Sequence, residues 1–349
     1  MKTLDLIPYS EPIPASAELF IFLEQLFFLI HILIINSILG LSLIIFYQWN
    51  RRRDFFEINK PFVKKIPILF AFGINMAIPA LLFLQVIFGN FFYTSSILMG
   101  TYWIFIIPFL IIAYYSSYFQ YKRFGISNSS KLALIVMISM IFYISFMFVN
   151  NLSMMEMPES WTSYFSKREG TIILWNIPTI YPRFLHFLIA SVAVGGIVYS
   201  FYFRKISEDQ LKEGLKIFAY ATIIQIAVGF WFLLSLPQSI MIKYMGRDLV
   251  ATVIFLAGVI TAFIMVFTAF KGSLKGSIVF LLLTMVFMII NRYHLRIFHL
   301  GENFNLSHLK LLPQWDLFVI FTIIFLLGVT IILYMLKIGF FPQKGDIKE

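Results

Sequence analysis

The chain contains no cysteine in 349 residues. That absence excludes disulfides, thiolate metal sites, iron–sulfur clusters and covalent haem attachment through a C-x-x-C-H motif. Charge is scarce as well, at 13% of residues, and no Asp or Glu occurs between Asn59 and Met155. No Gly-rich phosphate loop is present, which argues against nucleotide-driven transport. The first residues are polar, carry Pro8, Pro12 and Pro14, and lack the basic-then-apolar order of a cleavable signal peptide.

What is abundant is apolar surface. Hydrophobic residues make up 60% of the chain, and the mean hydropathy is +0.88. Nine runs are long enough to cross a bilayer: about 19–48, 66–90, 101–121, 131–150, 183–203, 216–236, 249–270, 276–292 and 313–336. Alternating polar and apolar strands are absent, so helices are expected rather than a barrel. The expected fold class is an all-α membrane protein, with residues 1–349 forming a single polytopic domain. With the N-terminus outside, the inner segments hold 18 of the 27 Lys and Arg residues. The positive-inside rule then predicts N-out/C-in. The location is a separate expectation, a prokaryotic cytoplasmic membrane with the protein multi-pass. The net charge of +10 follows from this asymmetry and requires no nucleic-acid partner.

Two histidines lie inside apolar runs, and both begin the pattern H-x8-G-x5-F-Y. His31 leads to Gly40 and Phe46-Tyr47; His186 leads to Gly195 and Phe201-Tyr202. Basic residues close both segments, Arg51-Arg52-Arg53 and Arg204-Lys205. A histidine in a membrane helix is costly without a partner, so each is a candidate functional residue. Two in equivalent places predict a duplicated bundle that carries a metal cofactor, with haem as the leading choice. The repeat divides the chain into helices 1–4, helices 5–8 and a ninth, peripheral helix, giving two four-helix bundles plus one.

Other residues could complete such a site. Arg183 is one turn before His186 and could pair with a haem propionate. Ala190, Ala193 and Gly196 on the same face would admit a macrocycle or a neighbouring helix. The alternative for His186 is a hydrogen bond between helices. Glu24, two turns outward of His31, could meet a quinol hydroxyl or simply sit at the interface. Arg292 and Arg296 flank His294 at the outer end of helix 8, where they could hold propionates or an anionic lipid. Met241 and Met245 are possible axial ligands. Asn36, Asn75 and Gln85 read as interhelical hydrogen bonds. His299 and His308 read as solvated loop residues.

HILIINSILGLS at 31–42, FGINMAIPALLFLQVIFGNFFYTSS at 72–96 and PRFLHFLIASVAVGG at 182–196 together resemble helices 1, 2 and 5 of subunit I of cytochrome bd quinol oxidases. The resemblance implies haem ligation by His31 and His186, outer-side haems and nine helices. Departures accompany it. Ile106 and Tyr114 stand near the places of that family's third-helix carboxylates. GRQPW is absent, Arg292 falls near its glutamate haem ligand, and no Met stands just after Arg247. The loop Pro237–Asp248 is too short for its quinol-binding loop. The expectation is therefore a bd-like scaffold without the oxygen-reducing apparatus.

The leading functional expectation is a b-type cytochrome-like electron-transfer subunit. It would carry one or two haem b groups on His31 and His186. It would pass electrons between quinol and an external c-type cytochrome or other redox subunit, with a second membrane subunit as a further partner. The alternatives are a haem-poor anchor subunit of a respiratory complex and a secondary transporter, which inverted repeats would mark.

Overall fold

The structure, a computed structural model, describes residues 6–166 and 168–340. Lys2, Lys167, Lys344 and Lys348, which enter the charge asymmetry, lie outside the described residues. Among the described residues nine helices are long and apolar enough to cross a membrane. They are α1 (Ala17–Gln48), α2 (Phe55–Leu98), α3 (Ile106–Arg123), α4 (Ser129–Glu156), α5 (Ile180–Phe203), α6 (Glu208–Ser235), α7 (Leu249–Phe270), α8 (Leu274–Leu300) and α9 (Trp315–Phe340). Large apolar side chains such as Leu256, Phe263, Ile324 and Leu333 are exposed on them. In water such a surface would drive aggregation; in a bilayer it is the lipid-facing surface. The protein is a multi-pass membrane protein.

Helix starts follow ordinary capping chemistry. Ser16 Oγ accepts from the Leu19 amide at 3.4 Å, Asp248 Oδ1 from Ala251 at 3.0 Å and Ser273 Oγ from Gly276 at 3.3 Å. Several helices outrun the apolar windows that announce them. α2 has 44 residues, roughly 66 Å at 1.5 Å per residue, so its ends project beyond a hydrocarbon core of about 30 Å. It stays helical through Pro79 and breaks at Phe88 (φ −121°, ψ 24°). The third span, Gly100–Arg123, breaks at Ile104 and Phe105, three to four residues before Pro108, which sits in the first turn of α3 where its missing N–H costs nothing.

We call the end of the molecule where α1 begins the upper end. There Phe20, Phe27, Phe83, Phe88, Phe91 and Trp161 form one buried cluster. At the other end Ile38, Leu41, Ile45, Phe62, Phe70 and Tyr199 form a second. The connection after α4 folds back as the 3-10 helix Pro158–Phe165. Trp161 Nε1 donates to the Met154 carbonyl at 2.9 Å, and Asn150 Oδ1 accepts from the Leu174 amide at 3.0 Å. The segment before α1 pairs with the one before α9, Ile13 N donating to Lys310 O at 2.9 Å. α9 otherwise touches the bundle through rings, Phe325 on Phe27 and Phe321 on Phe83.

α1 and α5 meet at one constant offset. Ser191 Oγ donates to Asn36 Oδ1 at 2.9 Å, a pair 155 residues apart. Gly40 and Gly195 are separated by the same interval, and a Cβ added at Gly195 would lie 2.5 Å from the Gly40 carbonyl carbon. Only glycine permits this approach. Two pairs at one offset make the helices parallel. His31 and His186, also 155 apart in the sequence, therefore sit at the same level, about 13 Å above the crossing.

Candidate functional site

Each histidine reaches the helix that follows its own. His31 Nδ1 donates to the Gly73 carbonyl of α2 at 2.9 Å. A carbonyl can only accept, so the proton is fixed on Nδ1 and Nε2 keeps its lone pair. That is the tautomer of a metal-ligating histidine with a backbone second partner. His186 Nε2 lies 3.2 Å from Gln225 Nε2 of α6. The amide donates in this arrangement, which leaves the proton on Nδ1, a buried atom with no partner among the described residues. A half-turn of the amide would present its oxygen to Nε2–H and free the Nδ1 lone pair. Gly229 keeps the ring's edge clear: a Cβ there would stand 3.4 Å from His186 Cε1.

A layer of buried charge lies above this level. Glu24 of α1, 5% exposed, accepts from Arg292 of α8 at 3.1 Å. Glu156 of α4, 2% exposed, accepts from Arg183 of α5 at 2.7 Å, and Arg183 also donates to Ser153 Oγ at 2.6 Å. Arg296 of α8 stands between the two carboxylates, 3.7 Å from Glu24 and 3.7 Å from Glu156. The order Arg292–Glu24–Arg296–Glu156–Arg183 joins four helices. Rings shield it: Phe28 lies 3.9 Å from the Arg292 guanidinium and Phe88 lies 5.0 Å from that of Arg296. The break in α2 occurs at Phe88 itself.

Several expected residues are elsewhere. α8 continues as helix to Leu300, so His294 and His299 are helical rather than at a helix end and in a loop. The basic side chains stop a hydropathy window at 292 but do not stop a helix. His294 is two residues from each arginine, about 200° around the helix, and it stacks on Phe298 with 6.1 Å between ring centroids. Its Nδ1 has no partner among the described residues. His299 is largely buried and close enough to Glu156 and Arg183 to interact with them electrostatically, so it is not a solvated loop residue. Met245 is 63% exposed in the turn before α7, away from the buried layer. Met241 packs against the buried cluster that holds Leu236, Tyr244 and Leu295. Gly196 does not admit a macrocycle; α6 fills that space at Gly214. Of the predicted polar links Asn36 crosses between helices, whereas Asn75 and Gln85 bond within α2.

The lower end carries a second polar group. Arg52 donates to Asp54 at 3.0 Å and to Glu213 at 2.5 Å, Gln48 donates to Glu213 at 3.2 Å, and Asn59 donates to Gln48 at 2.9 Å. Outside the spanning helices, the hydrogen bond to Asp54 raises the Arg52 pKa. In return Arg52 holds the Asp54 carboxyl below its ordinary value.

The described residues contain no group of three His, Asp or Glu side chains able to hold a bare metal ion. Haem needs only one or two protein ligands, so the absence of such a group does not bear on it; of the arginines nearby, Arg183 and Arg292 are already paired with Glu156 and Glu24. Two surface grooves of about 640 Å³, one beside Tyr115 and one beside Tyr220, contain no histidine. No family model matches the chain, and no curated protein matches it.

Proposed function

We propose that this protein is a b-type cytochrome-like electron-transfer subunit that passes electrons between membrane quinol and an external c-type cytochrome or other redox subunit. The observation that carries the reading is the pair of histidines at one level on two parallel helices, each with a ring nitrogen left free of protein partners or freed by one amide turn. His31 and His186 would hold the haem iron. His294, with its unpartnered Nδ1, is the candidate within this chain for a further axial position. Haem b, when bound, supplies a one-electron carrier of tunable potential.

The remaining residues orient and insulate. Arg183 and Arg292 fix the carboxylates of Glu156 and Glu24, and these pairs hold α1, α4, α5 and α8 in register above the histidines. Glu24 is the candidate contact for a quinol hydroxyl approaching from the upper end. The upper end is outside, giving N-out/C-in in a prokaryotic cytoplasmic membrane; the concentration of Lys and Arg in the opposite segments supports this. The shared 155-residue offset supports two four-helix bundles, α1–α4 and α5–α8, joined along α1 and α5. α9 stands outside both and leaves room for a second membrane subunit.

The test is a reduced-minus-oxidised spectrum with a pyridine haemochrome assay on the purified chain. The expected result is one or two b-type haems per chain. A monodisperse, helical preparation without haem would overturn the reading. It would favour a haem-poor anchor subunit, for which the four-helix ion-pair layer is itself the supporting observation. A transporter is the weakest reading, because parallel rather than inverted helices carry the repeat.

A further inference from the structure

The buried layer at the upper end does not balance. Three guanidinium groups, of Arg183, Arg292 and Arg296, face two carboxylates, of Glu24 and Glu156. Arg183 and Arg292 each hold a carboxylate at hydrogen-bond distance. Arg296 does not: it is 1% exposed, and its Nε and Nη2 have no acceptor among the described residues. Both of its contacts to carboxylates are 3.7 Å, beyond a hydrogen bond. His299 nearby could add positive charge but not remove it. Glu18 begins α1 on the exposed surface, where solvent screens it.

Glu156 Oε1, 3.7 Å from Arg296 Nε, is likewise buried without a hydrogen-bond partner, so Nη2 is the donor that makes neither contact, and the layer keeps one positive charge in excess; buried excess charge is expensive. The planar fork of Arg296 is shaped for a carboxylate or a phosphate oxygen pair. The Phe88 ring closes one side of it at 5.0 Å.

We propose that Arg296 is the anchor of a monoanion-binding site at the centre of the Glu24–Glu156 layer, and that its ligand is a single carboxylate group. The carboxylate has two possible sources, the edge of a bound macrocycle or a small free acid. The proposal concerns charge and donors, so it stands whether or not the protein carries haem.

The experiment uses the full chain in neutral detergent, with formate as the probe at constant ionic strength. The apparent Tm of the haem-free wild type should rise saturably with formate, and Arg296→Gln should show no saturable rise. Arg296→Gln should also match or exceed the wild-type Tm without formate, because it leaves two matched ion pairs. Arg296→Lys keeps the charge but loses the fork, and its half-saturating formate should be at least tenfold higher. If the macrocycle is the natural source, haem-loaded protein will no longer respond to formate while haem-free protein does. If a free acid is the source, both forms respond. A flat formate titration of haem-free wild type overturns the proposal, as does an unchanged response in Arg296→Gln. Absence of haem from every preparation would overturn the cytochrome reading and leave this titration intact.

Discussion

Replacing Glu156 by Gln should destabilise the protein more than replacing its ion-pair partner Arg183 by Gln. The asymmetry follows from the excess of positive charge. Glu156 is 2.7 Å from Arg183 and 3.7 Å from Arg296. At an effective dielectric of about 20, one unit pair near 4 Å is worth ~4 kcal/mol. Glu156→Gln therefore removes two gross attractions of that order and leaves three arginines facing Glu24 alone. The net cost is smaller, because the carboxylate's own desolvation is relieved; removing one member of a buried pair costs about 3–5 kcal/mol. Arg183→Gln removes one attraction and leaves two cations against two anions. Arg296 can then close the remaining gap to Glu156, so the cost should be about 1.5–3 kcal/mol, the worth of a hydrogen bond to a charged group. The assay is equilibrium unfolding in mixed micelles, followed by near-UV circular dichroism against the fraction of denaturing detergent. Glu24→Gln against Arg292→Gln should repeat the ordering. An Arg183→Gln variant that costs as much as Glu156→Gln would refute the charge count.

Three further outcomes are expected. His186→Ala should abolish one b-type haem while the protein still inserts, and His31→Ala should remove a second where two are present; full haem content in His186→Ala, read by pyridine haemochrome, contradicts the assignment. Gly195→Leu should force α1 and α5 apart, because even a Cβ there meets Gly40 backbone at 2.5 Å; at least about 1–3 kcal/mol of overpacking should appear as a lower Tm. Arg52 depresses the pKa of Asp54, so this pair contributes stability above the ordinary aspartate value of about 3.9 and loses it as pH falls through the depressed pKa. Asp54 is 45% exposed, which limits the effect to below about 1 kcal/mol. The Tm gap between wild type and Asp54→Asn should therefore shrink between pH 6 and pH 3.

The nine helices were legible because bilayer physics writes them as long apolar runs. Their ends were not, because hydropathy reports where charge begins and not where backbone hydrogen bonding stops. That distinction moved His294 and His299 from a helix end and a loop into α8. The repeated H-x8-G-x5-F-Y spacing showed that two helices correspond, but not that they touch. The small residues at 40, 191 and 195 make the contact. Glu24, Arg183 and Arg292 stood out as charges within apolar runs, whereas their pairing depends on four helices distant in sequence. Glu156 was obscured by the charged stretch that follows it. The available signal was that it is the first carboxylate after the acid-free run beginning at Asn59, and it ends an apolar helix. Gly73 and Gln225 carry no such mark, because a backbone carbonyl and a lone amide look ordinary in sequence.

The order of these layers also bears on function. At the crossing, glycine brings two backbones into contact, so nothing can lie between α1 and α5 there. Above it Ser191 still bonds Asn36, and then His31 turns to the Gly73 carbonyl of α2 and His186 to Gln225 of α6. The ion-pair layer then ties the same two helices to α4 and α8. A fold that needed only to cross a membrane would gain little from a charged layer above a sealed crossing. Buried arginines and glutamates are costly in such a place, and a plain apolar layer would close the bundle without that cost. The arrangement makes physical sense if the level of His31 and His186 is where the protein holds something, and if the charged layer keeps that level fixed while admitting one further negative group.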